Sequence, residues 1–235
     1  MQLLFVGAHA ADMEFSAGHV ACLYANEGHK VTFLHLTPGE MGHPTRTGEE
    51  YKRQKLEEAA EAARRIGAEV RTLDHADGSL TLNDAVAWEV ADVIRELRPE
   101  ILITHWRGSG HSDHHNSHLI ARRALFLAGL AALRRERPNW RVPNVFYPEN
   151  WEDMEDFVPD IYLDITPVYD QYIEAGRSYE LFRGGVSDFP YQRYYESLAS
   201  LRGCLGGYPK AATLMRPPAS RTYHGASLPL RTGGR

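Results

Sequence analysis

Apolar positions in the first half of the chain follow two alternating spacings. Unbroken runs at 2–8 (QLLFVGA), 30–37 (KVTFLHLT), 69–74 (EVRTLD) and 100–106 (EILITHW) have the length and composition of buried strands. Between these runs the apolar residues recur every three or four positions. Phe15, Val20, Leu23 and Tyr24 mark a helix over 15–27. A strong helix over 49–66 is closed by Gly67, and one over 82–97 puts Val86, Val90, Val93, Ile94 and Leu97 on one face before Pro99 ends it. Residues 117–130 make a further helix. Strand–helix alternation of this kind predicts an α/β fold, a Rossmann-like, doubly wound, mostly parallel sheet with helices on both faces.

The periodicity weakens beyond Leu130. Residues 132–141 read as a charged connector, 142–150 and 160–166 as strands, 167–182 as a helix with Pro167 in its first turn, and 190–202 as one more helix. The last twenty residues, rich in Pro, Gly and Arg, read as a loop-like tail. There is no internal repeat and no low-complexity segment. The expectation is one domain over 1–235, with 1–130 carrying the chemistry and 131–235 extending it.

Bulk properties narrow the classes. A length of 235 residues is enough for one full core. A net charge of −5 with scattered arginines argues against a general nucleic-acid binder. No apolar run is long enough for a membrane span, and a chain that enters a strand at once has no signal-peptide pattern. Two cysteines, Cys22 on an expected helix and Cys204 near the C-terminus, fit a reduced, cytoplasmic setting; neither has a CxxC partner, so cysteine ligation of metal is not expected, and a homo-oligomer is. Tyr191 to Tyr195 reads as packing or an oligomer contact.

The candidate chemistry lies at strand ends. His9 and Asp12 fall where the first strand passes into its helix, and His111-Ser112-Asp113-His114 follows the fourth strand. In an open parallel sheet, ligands bind beyond the carboxyl ends of the strands, where strand order reverses. Two imidazoles and a carboxylate brought together there form the donor set of a catalytic zinc with an open position, a set that also suits iron or manganese. Blander readings stand beside this one: Asp12 as a helix cap, His9 as a polar strand end, or His114 and His118, at i and i+4, sharing a metal alone. No HExxH, GxGxxG, GxSxG or P-loop pattern is present.

Taken together these motifs resemble the LmbE-like (PIG-L) family of zinc-dependent N-deacetylases. The resemblance covers roughly 1–130 and includes Thr37-Pro38-Gly39-Glu40-Met41-Gly42, the helix ending AAEAARRIG and the turn Asp77-Gly78-Ser79-Leu80. It implies His9, Asp12 and His114 as ligands of Zn2+ or another divalent metal. It implies His111 as general acid or oxyanion stabiliser, with Asp113 supporting an imidazole. Glu40 would line the substrate crevice. Lys55 lies near the family's basic helix residue, with Arg53 its close competitor. Arg107, in the loop 106–112, and Trp151, able to stack on a sugar face, complete the expected substrate contacts. The implied substrate is a small N-acylated, sugar-like molecule.

One position departs from the family pattern. Where the family carries the general-base Asp, this chain has Ala11, which cannot accept a proton. Glu40, Glu149, Glu152 and Asp153 are the candidate replacement bases, while Glu14 should point away from the site. The remaining alternatives are a slow deacetylase relying on the metal alone and a catalytically silent, zinc-stabilised binding protein for an acylated sugar or related ligand.

Overall fold

The structure, a computed structural model, describes residues 1–221; the part of the expected tail at 222–235 lies outside the described residues. Its strands are β1 (Gln2–His9), β2 (Lys30–Thr37), β3 (Glu69–Thr72), β4 (Ile101–Thr104), β5 (Asn144–Pro148), β6 (Ile161–Asp164) and β7 (Ala211–Met215). They form one seven-stranded sheet in the order β3-β2-β1-β4-β5-β7-β6. The first five are mutually parallel, and β7 runs antiparallel to both its neighbours. Strand order reverses between β1 and β4, which places the carboxyl-end crevice beside His9.

Helices cover both faces: α1 (Asp12–Ser16), α2 (Gly18–Asn26), α3 (Gly48–Ile66), α4 (Asp84–Leu97), α5 (Ser112–Gly129), α6 (Tyr169–Gly176) and α7 (Tyr191–Gly206). Successive strand side chains point to opposite faces. Leu3 and Phe5 of β1 therefore pack with Val20, Ala62 and Ile173, whereas Leu4 and Val6 pack with Val90, Ile94 and Ile120. Burial on both faces explains the unbroken apolar runs. Helix α3 starts at a capping box, in which Thr47 and Glu50 satisfy each other's backbone amides, and stops at Gly67 with φ 84°.

The boundaries differ from the sequence reading in four places. The helix expected over 15–27 is two helices, α1 and α2, broken at Ala17. The Tyr172 hydroxyl donates to the Phe15 carbonyl at 2.5 Å there, and a Cβ on Gly18 would sit 3.2 Å from the Tyr172 ring. Helix α5 begins at Ser112 because the His111 side chain caps it, accepting from the Asp113 N–H. Helix α6 ends at Gly176, whose missing Cβ leaves room for the Phe182 ring. Strand β7 carries no strong pattern of its own and forms by pairing with β5 and β6.

Candidate active site

The chain turns sharply from β1 into α1 through Ala10 and Ala11, both buried. Ala11 adopts φ 99°, a conformation uncommon for a residue with a Cβ. The turn folds Asp12 back over the strand end, where its Oδ2 accepts the His9 backbone N–H at 2.7 Å. The same oxygen lies 3.2 Å from His9 Nδ1, 3.1 Å from His105 Nε2 and 3.5 Å from His114 Nε2. Burial opposes the charge on Asp12, but the neighbouring His114 and His9 outweigh it and hold the carboxyl well below its usual range.

His9, Asp12 and His114 each offer a ligand atom, all within 4.8 Å of one another. Among the described residues two other groups meet that distance: His105, His114 and Asp153, and His9, Asp77 and Asp113. Only the first has all three members on the wall of the same cleft, a cavity of about 180 Å³. The carboxylates outside that trio lie behind its imidazoles. Asp77 Oδ1 and Asp113 Oδ2 lie 3.0 and 3.4 Å from His9 Nε2, a buried nitrogen with no aligned hydrogen bond. Asp153 Oδ1 lies 3.2 Å from His114 Nδ1. A carboxylate behind each ligand imidazole is the arrangement that orients metal-binding histidines, so the residues fit a divalent cation. Burial works against the charge on His114, and Asp12 and Asp153 override it, raising the imidazole to about 10.

His111 lines the cleft, its ring stacked on His114 at 4.6 Å between centroids. Its Nδ1 accepts the Asp113 N–H at 3.2 Å, which leaves Nε2 to carry the ring proton in the neutral tautomer. Burial, with the charges of His114 and His9, pushes its pKa down. Asp113 accepts the Gly78 N–H at 2.8 Å and faces His9, so the imidazole it approaches is His9.

The four candidate bases separate sharply. Glu149 is 3% exposed, bidentate with Arg202 and bonded to Thr213, which removes it from the cleft. Asp153 is locked between His105 at 2.8 Å and His114, and these two imidazoles override burial to hold its carboxyl far below the ordinary range. Glu40 accepts the Asp77 N–H at 3.0 Å and does not line the cleft. Only Glu152 lines it, 3.5 Å from His114 Nδ1. Burial raises the Glu152 carboxyl, with the charges of Asp12 and Asp153 adding to the effect against His114.

Of the four expected substrate contacts, three lie elsewhere: Arg53, Arg107 and Glu40, the last held by the Asp77 N–H. Arg53, on the outer face of α3, borders a surface groove with Glu50 and Gln54. Lys55, two residues on, turns inward: its Nζ bonds the Ala10 carbonyl and lies over the Tyr179 ring at 5.2 Å. Burial lowers the Lys55 pKa, opposed by the charge on Asp12. Arg107 is exposed, pairs with Asp156 at 3.6 Å and covers the Trp106 ring. Trp151 does line the cleft, one face stacked on Phe189 at 4.1 Å. Tyr191 and Tyr195, read from sequence as packing, line it too. His118 donates to or accepts at no cleft group; it faces the His105 carbonyl at 2.9 Å, and burial lowers its pKa to about 4.

Tyr51 and His105 carry no role in the sequence reading, and Asp77 enters it only within the Asp77–Leu80 turn motif, without a role. Gly39 explains part of the Thr-Pro-Gly-Glu loop: at φ 78° a Cβ there would lie 3.1 Å from His9 Cβ and 3.3 Å from Lys55 Cε.

A model of the PIG-L family, GlcNAc-PI de-N-acetylase, matches residues 4–125. The chain is 31% identical over 182 residues to the 4-oxalmesaconate hydratase of Pseudomonas putida, covering 73% of this chain and 70% of that protein. It is 30% identical over 176 residues to the 1D-myo-inositol 2-acetamido-2-deoxy-alpha-D-glucopyranoside deacetylase of Thermobispora bispora, covering 62% of this chain and 58% of that longer protein. The solved structure of the 4-carboxy-2-hydroxymuconate hydratase from Pseudomonas putida superimposes with a TM-score of 0.83 at 24% identity, covering 97% of this chain and 99% of that one.

Proposed function

The chain belongs to the PIG-L family, and from that premise we propose that it is a metal-dependent hydrolase removing an N-acyl group, with N-acetyl the first candidate, from an amino sugar or related small molecule. The observation that carries this reading is the convergence in one cleft of His9, Asp12 and His114 with a cleft-lining carboxylate, Glu152, and an imidazole donor, His111. A divalent cation, zinc or a related transition metal, held by His9, Asp12 and His114 would supply Lewis acidity and an activated water.

The remaining steps belong to the chain's own groups. Glu152, whose burial makes it a stronger base than a solvated carboxylate, accepts the proton from water and returns it to the departing nitrogen. His111 donates from Nε2 to the oxygen that gains charge as the carbonyl is attacked. Trp151, Tyr51, Tyr191, Tyr195, Asn150 and Ser187 present aromatic faces and neutral polar groups, which suits a hydroxylated ring.

Ala11, together with the similarity to a hydratase, favours a second reading: addition of water to an unsaturated acid, with Lys55 as the cation for its carboxylate. The test is to load the purified chain with Zn2+ and assay acetate release from a panel of N-acetylated amino sugars. In parallel, loss of ultraviolet absorbance from conjugated di- and tricarboxylates reports hydration. Acetate release abolished by a chelator supports the hydrolase. Hydration without acetate release replaces it with the second reading, and neither activity leaves a ligand-binding protein.

A further inference from the structure

His105 follows β4 and is fully buried behind the cleft, outside its wall. Its Nδ1 lies 2.8 Å from Asp153 Oδ2 and its Nε2 3.1 Å from Asp12 Oδ2. The ring is stacked on His114 at 4.1 Å between centroids, 24° from parallel. The Ala8 backbone nitrogen, one residue before His9, lies 3.2 Å from the same Nε2, a packing contact when Nε2 gives its proton to Asp12. One imidazole thus touches the segments that carry all three proposed ligands. It also joins Asp12, on the β1–α1 turn, to Asp153, on the loop after β5.

The buried packing fixes this ring firmly. The His118 ring nitrogen faces the His105 carbonyl at 2.9 Å, and Thr104, the residue before it, donates its hydroxyl to the Val6 carbonyl at 2.9 Å. Asp153 spends one oxygen on His105 and the other on His114, so the loop bearing Glu152 is referenced to the same imidazole pair.

We infer that His105 is a positioning residue for Asp12, an Asp153–His105–Asp12 chain that holds the carboxylate in the orientation a cation requires. This inference rests on the reading of His9, Asp12 and His114 as ligands. Loss of a partner that orients a metal ligand weakens metal affinity by about 10–100-fold.

The test uses Zn2+ alone, titrated into the full chain after chelation and dialysis, for wild type, His105→Phe, His105→Asn and His105→Gln. Phenylalanine keeps the stacking and removes both ring nitrogens. An asparagine amide falls near Nδ1, toward Asp153, and a glutamine amide near Nε2, toward Asp12. The expected result is zinc affinity about 10–100-fold weaker in His105→Phe and His105→Asn, with His105→Gln recovering most of it. The absorption spectrum of bound Co2+ should change in the first two and return toward wild type in the third. A merely structural role would not separate asparagine from glutamine. Wild-type affinity in His105→Phe overturns the inference. If that variant does not fold, equal affinities for His105→Asn and His105→Gln overturn it. His114→Ala is the control: if it retains full zinc, the ligand reading itself has failed, and if it loses zinc while the His105 variants do not, only the positioning role has.

Discussion

In the proposed hydrolysis, Glu152 is the residue on which the chemistry turns. The other three carboxylates weighed for its role are engaged, Glu149 by Arg202, Asp153 by two imidazoles and Glu40 by the Asp77 amide. Glu152→Gln is expected to cut turnover by about 10²–10⁴-fold, the range for a general acid–base group, with metal content unchanged. Measured kcat alongside elemental analysis checks this; an unaltered kcat would remove Glu152 from the mechanism. Ala11 supplies the companion test. Its backbone, at φ 99°, is one an aspartate adopts more readily than most residues, so Ala11→Asp should fold. With Glu152 already in place, the added acid should bring little gain in kcat, or a loss through like-charge repulsion. A large gain would mean that the cleft lacks a working base.

At the scale of elements, the site is two loops closed against each other. The Gly110 N–H donates to the Glu152 carbonyl, and the Glu155 N–H to the Gly108 carbonyl, both at 3.1 Å; the Trp106 indole donates to the Glu155 carbonyl at 2.8 Å. A Cβ on Gly108 would fall 2.0 Å from the Glu155 oxygen, so the approach requires glycine. Gly108→Ala should push the loops apart and lower kcat at least tenfold while thermal unfolding stays cooperative. Wild-type kcat in that variant would show that the pairing does not place Glu152. These loops also mark where sequence reasoning ran out. His9, Asp12, His111 and His114 were legible because strand ends in an alternating fold announce themselves, and so was the turn at Asp77, as a motif without a role. Lys55 against Arg53 was decided by helix phase, a matter of about 200° that spacing alone left open. Glu152 stands out only through contacts distant in sequence, such as Arg202 and Thr213 holding Glu149 and His105 holding Asp153. His105 gave no signal, since a histidine closing a buried strand run looks like any polar strand end. Strand β7 was missed for a similar reason: its five residues are buried by pairing, a non-local effect.

For the molecule as a whole, the order β3-β2-β1-β4-β5-β7-β6 brings β1 and β4 side by side and opens the crevice between their carboxyl ends. Residues 131–221 continue the same sheet through β5, β7 and β6 and close the cleft with Glu152, Trp151 and Tyr191. Both halves therefore contribute to one site, and the central claim is that this site is built around a cation. Among the described residues three donor groups meet the distance for one, and His9, Asp12 and His114 are the group proposed to hold it. Crystals grown with Zn2+ and measured on either side of the zinc absorption edge decide the matter. One anomalous peak is expected, about 2.0–2.2 Å from side-chain atoms of His9, Asp12 and His114. A peak ligated by His105 and Asp153, or none touching Asp12, would contradict that claim.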